Sequence, residues 1–297
     1  MKKWTGVFPA VTTKLHQDGA VDLDATQASI ERLIANGVSG VIVLPMLGEN
    51  ASTTIAEKEA IIRAASEVAA GKVPVLSGLA ERTTADARAV SRALEGFGAE
   101  GLMVFPSLGY KTDPRESVEW HKQVADACGV PIMIYNNPIA YGVDITPDIL
   151  QQLEEVPQIV AIKEETGDVR RVTDLYNACH SRFQIFCGVD DMIVESMSLG
   201  AVGWVSGMTN AWPKECVEIF NLCAAGKFAE AHPLYRLMTP AFHLDTHVKL
   251  VQYIKLAEHL VYGAPEWTRP PRLPLVGEER EHVISVVRQT IEELQES

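Results

Sequence analysis

Short runs of apolar residues recur along the chain, and between them the apolar positions fall at helical spacing. The runs are GVFPAVTT (Gly6 to Thr13), GVIVLP (Gly40 to Pro45), VPVLSG (Val73 to Gly78) and GLMVFP (Gly101 to Pro106). They continue as VPIMIYN (Val130 to Asn136), IVAIKE (Ile159 to Glu164), FQIFCG (Phe183 to Gly188) and VGWVSG (Val202 to Gly207). Each is apolar at nearly every position rather than at alternate ones, the pattern of a strand covered on both faces.

The segments between them read as helices. DLDATQASIERLIANG opens on an acidic N-cap candidate and stops at Gly37, and TIAEKEAIIRAASEVAAG repeats the pattern with Gly71 as its stop. Several strands open with Gly or Val-Pro, which punctuates the return from helix to strand. The repeat is roughly 20–35 residues, about one strand, one helix and two loops.

Eight such units predict an α/β chain folded as a (β/α)8 TIM barrel. A doubly wound sheet is the alternative, but no GxGxxG follows the first strand. The barrel is expected over residues 1–225, with 226–297 as a C-terminal helical extension of the same domain. In that extension PEWTRPPRLPL reads as a proline-rich connection to a final amphipathic helix, EEREHVISVVRQTIEELQ.

The sixth strand ends in a lysine. Barrel enzymes carry their chemistry at the C-terminal ends of the strands, so Lys163 is expected at the base of a cavity mouth against apolar walls. Desolvation lowers a lysine pKa, and a neutral amine attacks carbonyl carbon to form a Schiff base. The competing reading is a structural ion pair with Glu164, Glu165 or Asp168. The fifth strand ends in IMIYNNP, so Tyr135 occupies the neighbouring strand end, where a phenol can relay protons for imine chemistry. Its alternative is an aromatic plug at the barrel end.

The net charge of −13 and the absence of a Lys/Arg-rich run argue against nucleic acid or an anionic membrane as a partner. The longest apolar runs, such as Val38 to Leu47, are too short to span a bilayer. Lys2 and Lys3 precede no signal-length apolar core. The five cysteines show no CxxC spacing and read as reduced thiols, so a cytoplasmic location is expected.

The chain resembles the dihydrodipicolinate synthase / N-acetylneuraminate lyase superfamily along nearly its whole length. GVFPAVTT is similar to that family's first strand, IYNNP to its Tyr-Asn-x-Pro motif and IVAIKEETGD to its lysine strand. GVDDMIVESMSLGAVGWVSGMTN is similar to its seventh and eighth strands, and PMLGENAS stands where the family has a Gly-Thr-Thr-Gly-Glu-Ser type loop. The resemblance implies that Lys163 forms a Schiff base with a small 2-keto acid or a cyclic imine carboxylate, with Tyr135 as proton relay. It further implies substrate binding by Leu47, Gly48, Glu49, Val205 and Ser206, no cofactor or metal, and a homotetramer.

Three positions depart from the family pattern. Met46 and Leu47 replace two adjacent hydroxyls of the carboxylate-binding loop, leaving backbone N–H groups of Leu47 and Gly48 for that task. No basic residue follows the tyrosine motif, where synthases have an arginine for the second acid. FPSLGYKTDP moves Tyr110 away from the family's aromatic position. These features resemble the Δ1-pyrroline-4-hydroxy-2-carboxylate deaminases of hydroxyproline catabolism, whose product is 2,5-dioxopentanoate. The alternatives are a 2-keto-3-deoxy sugar-acid dehydratase, a pyruvate-dependent aldolase or synthase, and a keto-acid-binding regulatory protein.

Other signals are weaker. His243 and His247 of FHLDTHVKL stand four apart, with Asp245 between, but HExxH is absent and structural histidines are the better reading. In LAERTT, Glu81 or Arg82 could face the mouth, while Thr83 or Thr84 as a helix cap is the stronger reading. Ser206 and Asn210 are candidate hydrogen-bond donors to substrate, with the Val205 backbone as a further contact.

Overall fold

The computed structural model describes residues 4–296; Lys2 and Lys3 lie outside the described residues. The eight strands are β1 (Gly6–Pro9), β2 (Val41–Val43), β3 (Val75–Leu79), β4 (Gly101–Val104), β5 (Ile132–Asn136), β6 (Ile159–Glu164), β7 (Gln184–Cys187) and β8 (Gly203–Ser206). All pairings are parallel, in the order β1-β8-β7-β6-β5-β4-β3-β2. A bridge between Ala10 and Ile42, with the Val11 N–H donating to the Ile42 carbonyl at 2.9 Å, joins β1 to β2 and closes the ring. Most strands are shorter than the apolar runs that predict them. Some run ends, such as Val11 to Thr13, follow their strand, and others, such as Val130 and Pro131, precede theirs.

The barrel helices are α1 (Leu23–Ala35), α2 (Ile55–Ala69), α3 (Thr84–Phe97), α4 (Pro114–Ala125), the short α5 (Pro138–Tyr141) and α6 (Pro147–Gln151), α7 (Arg170–Cys179), α8 (Ile193–Ser198) and α9 (Pro213–Ala224). Their starts follow from local chemistry. Asp22 accepts from the Ala25 N–H at the start of α1. Thr54 with Glu57, and Asp113 with Glu116, form capping boxes on α2 and α4, satisfying N–H groups that a helix leaves unpaired. Thr83 caps α3, so LAERTT is a helix start, and Glu81 turns away to pair with Lys58 at 3.2 Å.

After α9 the chain forms α10 (Phe228–Phe242), α11 (Leu250–Tyr262) and α12 (Gly277–Glu296). Two solvent-free ion pairs fasten α11 to the barrel: Glu258 with Lys14, and Lys255 with Glu49 at 2.6 Å. The turn His243–Thr246 and the α11 start are thereby held across the C-terminal mouth of the strands. Among the described residues no helix is long and apolar enough to cross a membrane.

Candidate active site

Strand periodicity explains the lysine. Successive side chains of a strand point to opposite faces, so Lys163 and Glu165 share one side and Glu164 takes the other. Glu164 accepts from the Asn136 side chain (3.0 Å) and the Thr166 N–H (2.8 Å), bracing the outside of the β5–β6 seam. Lys163 turns into the barrel mouth and is nearly buried.

Tyr135 is the register partner of Lys163 across the β5–β6 ladder. The lysine Nζ sits 4.2 Å from the centre of the tyrosine ring and 2.7 Å from Glu165 Oε2. The Asn137 amide donates both to the Tyr135 hydroxyl (3.1 Å) and to Glu165 Oε1 (2.9 Å). Phe105 and Tyr141 stand edge-on to the Tyr135 ring at 4.9 and 5.6 Å. Burial, then the Glu165 charge, pushes the phenol well above its ordinary pKa, so it holds its proton. Lysine, phenol and carboxylate thus meet at one point. The structural ion pair weighed from sequence is present, but it lies inside the cavity rather than behind it.

The loop after β2 completes this inner chamber. Leu44 is left-handed (φ 55°), and its carbonyl lies so close to β3 that a Cβ on Gly78 would come within 2.0 Å of it. Asn50 donates to the Leu44 and Gly78 carbonyls at 2.8 and 3.0 Å and locks the turn. Met46 and Leu47 line the chamber. The Gly48 N–H is spent on the Pro45 carbonyl (3.1 Å), a correction to its expected role. The Leu47 N–H has no partner among the described residues and remains available to a carboxylate.

Three further expected substrate contacts are placed elsewhere. The Glu49 carboxylate is buried against Lys255 and accepts from the Arg269 N–H at 2.9 Å, so it is structural. Val205 is a core residue of β8, paired with Phe8. Ser206 is fully buried and accepts from the Thr209 N–H at 3.0 Å. Asn210 likewise braces the Ala10 and Gly207 carbonyls. None of these four lines either chamber of the mouth. Gly207, one residue on, lines the inner one.

Above the inner chamber lies a cavity of about 700 Å³. Its wall includes Asn137, Ile139, Ala140 and Tyr141 from the segment after β5, and Asp191 and Met192 from the segment after β7. Asp245, Thr246 and Val248 come from the C-terminal extension. So does Arg272, whose guanidinium lies 3.8 Å from Glu49 Oε2. An arginine therefore reaches the cavity after all, from a connection the sequence marks only as proline-rich. Tyr110 does not reach it: it is exposed, bonds Glu116 at 2.7 Å and lines a separate cavity with Arg82 and Arg115. The FHLDTHVKL side chains diverge. His243 bonds Asp191 at 2.6 Å, His247 stacks on Tyr253, and Asp245 turns into the mouth.

Glu165 is read from the sequence only as a structural ion-pair partner of Lys163; its even spacing to the lysine is the signal that sets it on the same side. Asp245 is marked in the sequence only beside the two histidines and Arg272 not at all, because long-range folding of the extension brings them to the mouth.

A parallel eight-stranded barrel whose C-terminal mouth gathers a buried lysine, a tyrosine and a carboxylate is the framework of a lyase or aldolase. The chain belongs to the dihydrodipicolinate synthetase family, whose model matches residues 3–290. It is 30% identical over 273 residues to the 4-hydroxy-tetrahydrodipicolinate synthase of Methanospirillum hungatei, covering 91% of this chain and 92% of that one. It is also 30% identical over 261 residues to the probable 2-dehydro-3-deoxy-D-pentonate aldolase YjhH of Escherichia coli, covering 85% and 87%. The structure of the 4-hydroxy-tetrahydrodipicolinate synthase from Methylacidiphilum fumariolicum matches with a TM-score of 0.93 at 27% identity, over 99% of this chain and 98% of that one.

Proposed function

We propose that the protein is a Schiff-base lyase that converts Δ1-pyrroline-4-hydroxy-2-carboxylate to 2,5-dioxopentanoate and ammonia. The observation that carries this reading is the wall after the tyrosine motif. Ile139, Ala140 and Tyr141 line the cavity there, and Met46 and Leu47 line the carboxylate loop, which suits one compact substrate better than two acids.

In this mechanism the Lys163 amine adds to C2 of the ring and the C2–N1 bond breaks. The result is an open-chain iminium on Lys163 with a free amine at C5. The iminium acidifies C3, whose proton passes to the Tyr135–Glu165 pair, giving an enamine. The enamine electron pair expels the 4-hydroxyl as water. Proton shifts move the unsaturation to C5 as an imine, and water then hydrolyses both imines. Overall one water is lost and two are consumed, which leaves the dioxo acid, ammonia and free Lys163. The Leu47 N–H holds the substrate carboxylate.

A second reading, a lyase of 2-keto-3-deoxy sugar acids, is favoured by the similarity to the pentonate aldolase and by Arg272 in the outer cavity. One assay separates them: each substrate is offered alone, alongside pyruvate with an aldehyde, and products are followed. Ammonia and 2,5-dioxopentanoate from the pyrroline supports the deaminase. Faster turnover of the keto-deoxy acid, or carbon–carbon bond formation from pyruvate, overturns it. The homotetramer implied by the family resemblance belongs to the same reading and is checked by light scattering.

A further inference from the structure

Elimination of a hydroxyl needs a proton delivered to the leaving oxygen, and the loop that carries hydroxyls in the family has Met46 and Leu47 instead. Four residues line both the inner chamber and the outer cavity: Met46, Glu165, Asp245 and Leu250. Two are apolar and two are carboxylic acids. A chain anchored on Lys163 and extending from the inner chamber into the outer cavity crosses the level whose wall both acids line.

Their surroundings differ. Glu165 lies 2.7 Å from the Lys163 ammonium and accepts from Asn137. Asp245 has no hydrogen-bond partner among the described residues. It packs against the backbone after β8 so closely that a Cβ on Gly207 would come within 2.3 Å of its Oδ1 and 2.7 Å of Ile254 Cδ1. The charged groups around it are Asp190, Glu165 and Asp191, with Lys163 as the cation. Burial and the neighbouring acids push its carboxyl well above the ordinary carboxylate range, which favours the protonated form. Asp190 is itself fully buried, fixed by the Trp204 indole (2.9 Å) and the Met208 N–H (2.7 Å), so it is anchored to the framework rather than offered to substrate.

We infer that Asp245 is the general acid of the elimination, giving its proton to the hydroxyl that leaves from the carbon two removed from the Lys163 imine. The C4–O bond breaks as the enamine pair re-forms the conjugated iminium. The Asp245 proton forms the O–H bond of the departing water, and Asp245 is left as a carboxylate, which takes up the proton released when C5 is deprotonated in the tautomerisation. Two carboxylic groups held in opposite environments are the arrangement that divides acid from base work. This assignment rests on the elimination proposed above, and on nothing specific to the ring nitrogen.

The test compares wild type with Asp245→Asn on three substrates: the 4-hydroxy pyrroline, its 4-chloro analogue, and a 2-keto-3-deoxypentonate. Chloride leaves without a proton. The variant is expected to lose about 10²–10⁴-fold in kcat on the hydroxy substrate and to stay within about threefold of wild type on the chloro analogue. Borohydride trapping of pyruvate on the variant should equal wild type, which shows that the chamber is intact. Equal losses on the hydroxy and chloro compounds, or unchanged kcat on the hydroxy compound, would overturn the role. If wild type ignores the pyrroline but dehydrates the keto-deoxy acid, the deaminase reading fails. The same variant then decides the role of Asp245 on that substrate, whose leaving hydroxyl is on the same carbon. Turnover of neither hydroxy substrate by wild type overturns both.

Discussion

Glu49→Gln distinguishes a framework role from a substrate-binding one at the position where family resemblance and structure disagree most. The Glu49 carboxylate lies 2.6 Å from the Lys255 ammonium, and neither side chain is more than 2% exposed. With the charge removed, Lys255 loses its carboxylate partner and keeps only neutral acceptors, the Trp267 carbonyl at 2.7 Å and the glutamine oxygen. Breaking a buried pair from one side costs about 3–5 kcal/mol, because the remaining charge stays out of water uncompensated. That is a large share of a native stability of about 5–15 kcal/mol. At about 2–4 °C per kcal/mol for a large domain, the melting temperature should fall by roughly 6–20 °C. Replacing both partners, Glu49→Gln with Lys255→Met, should recover most of the loss, since an apolar substitute for a buried pair is often near neutral. The assay is a four-protein thermal melt read as a double-mutant cycle, with KM for the keto acid measured beside it. An unchanged melting temperature with a raised KM in the single variant would refute the structural assignment and return Glu49 to the substrate.

Tyr135→Phe keeps the ring packing and removes the relay, so kcat should fall about 10²–10⁴-fold while stability drops by only about 1 kcal/mol for the lost hydrogen bond. A variant that unfolds yet keeps its rate would make Tyr135 a core plug. Gly78→Ala forces a Cβ to within 2.0 Å of the Leu44 carbonyl, so the carboxylate loop must shift. KM should rise, and an unchanged KM would show that the loop does not hold substrate. His121 is fully buried, with Nδ1 bonded to the Ser117 carbonyl at 2.8 Å, and burial holds its pKa down to about 4. Its unfolded form gains a proton near pH 6.5 while the native form stays neutral. Stability is therefore full above that value and lost as pH falls toward 4, by about 3 kcal/mol. Denaturant melts between pH 7 and 4 should show this slope flattened in His121→Leu, and an identical slope in the variant would assign the acid lability to other groups.

The barrel was legible because its strands are apolar on both faces and its helices carry their caps in the local sequence, as Asp22, Thr54 and Asp113 do. The placement of Lys163 and Tyr135 at neighbouring strand ends in the mouth was legible for the same reason: a polar residue at the end of a buried strand has few places to go. Glu49 and Ser206 look identical in sequence whether they face substrate or framework, since the deciding contacts come from Lys255 and Thr209 far along the chain or across a turn. Nothing at short range set Asp245, marked only beside two histidines, or Arg272 at the mouth. They reach the mouth only because α10 and α11 fold back and the two buried ion pairs of α11 hold them there.

The role of Lys163 is tested most directly by borohydride reduction of the protein in the presence of pyruvate, followed by peptide mapping. A Schiff-base lysine gives one reduced pyruvate adduct per chain, on Lys163, absent from Lys163→Ala and formed at an ordinary level by Asp245→Asn. No adduct, or an adduct that persists in Lys163→Ala, would contradict it and leave the 2.7 Å contact between Lys163 and Glu165 as a structural ion pair.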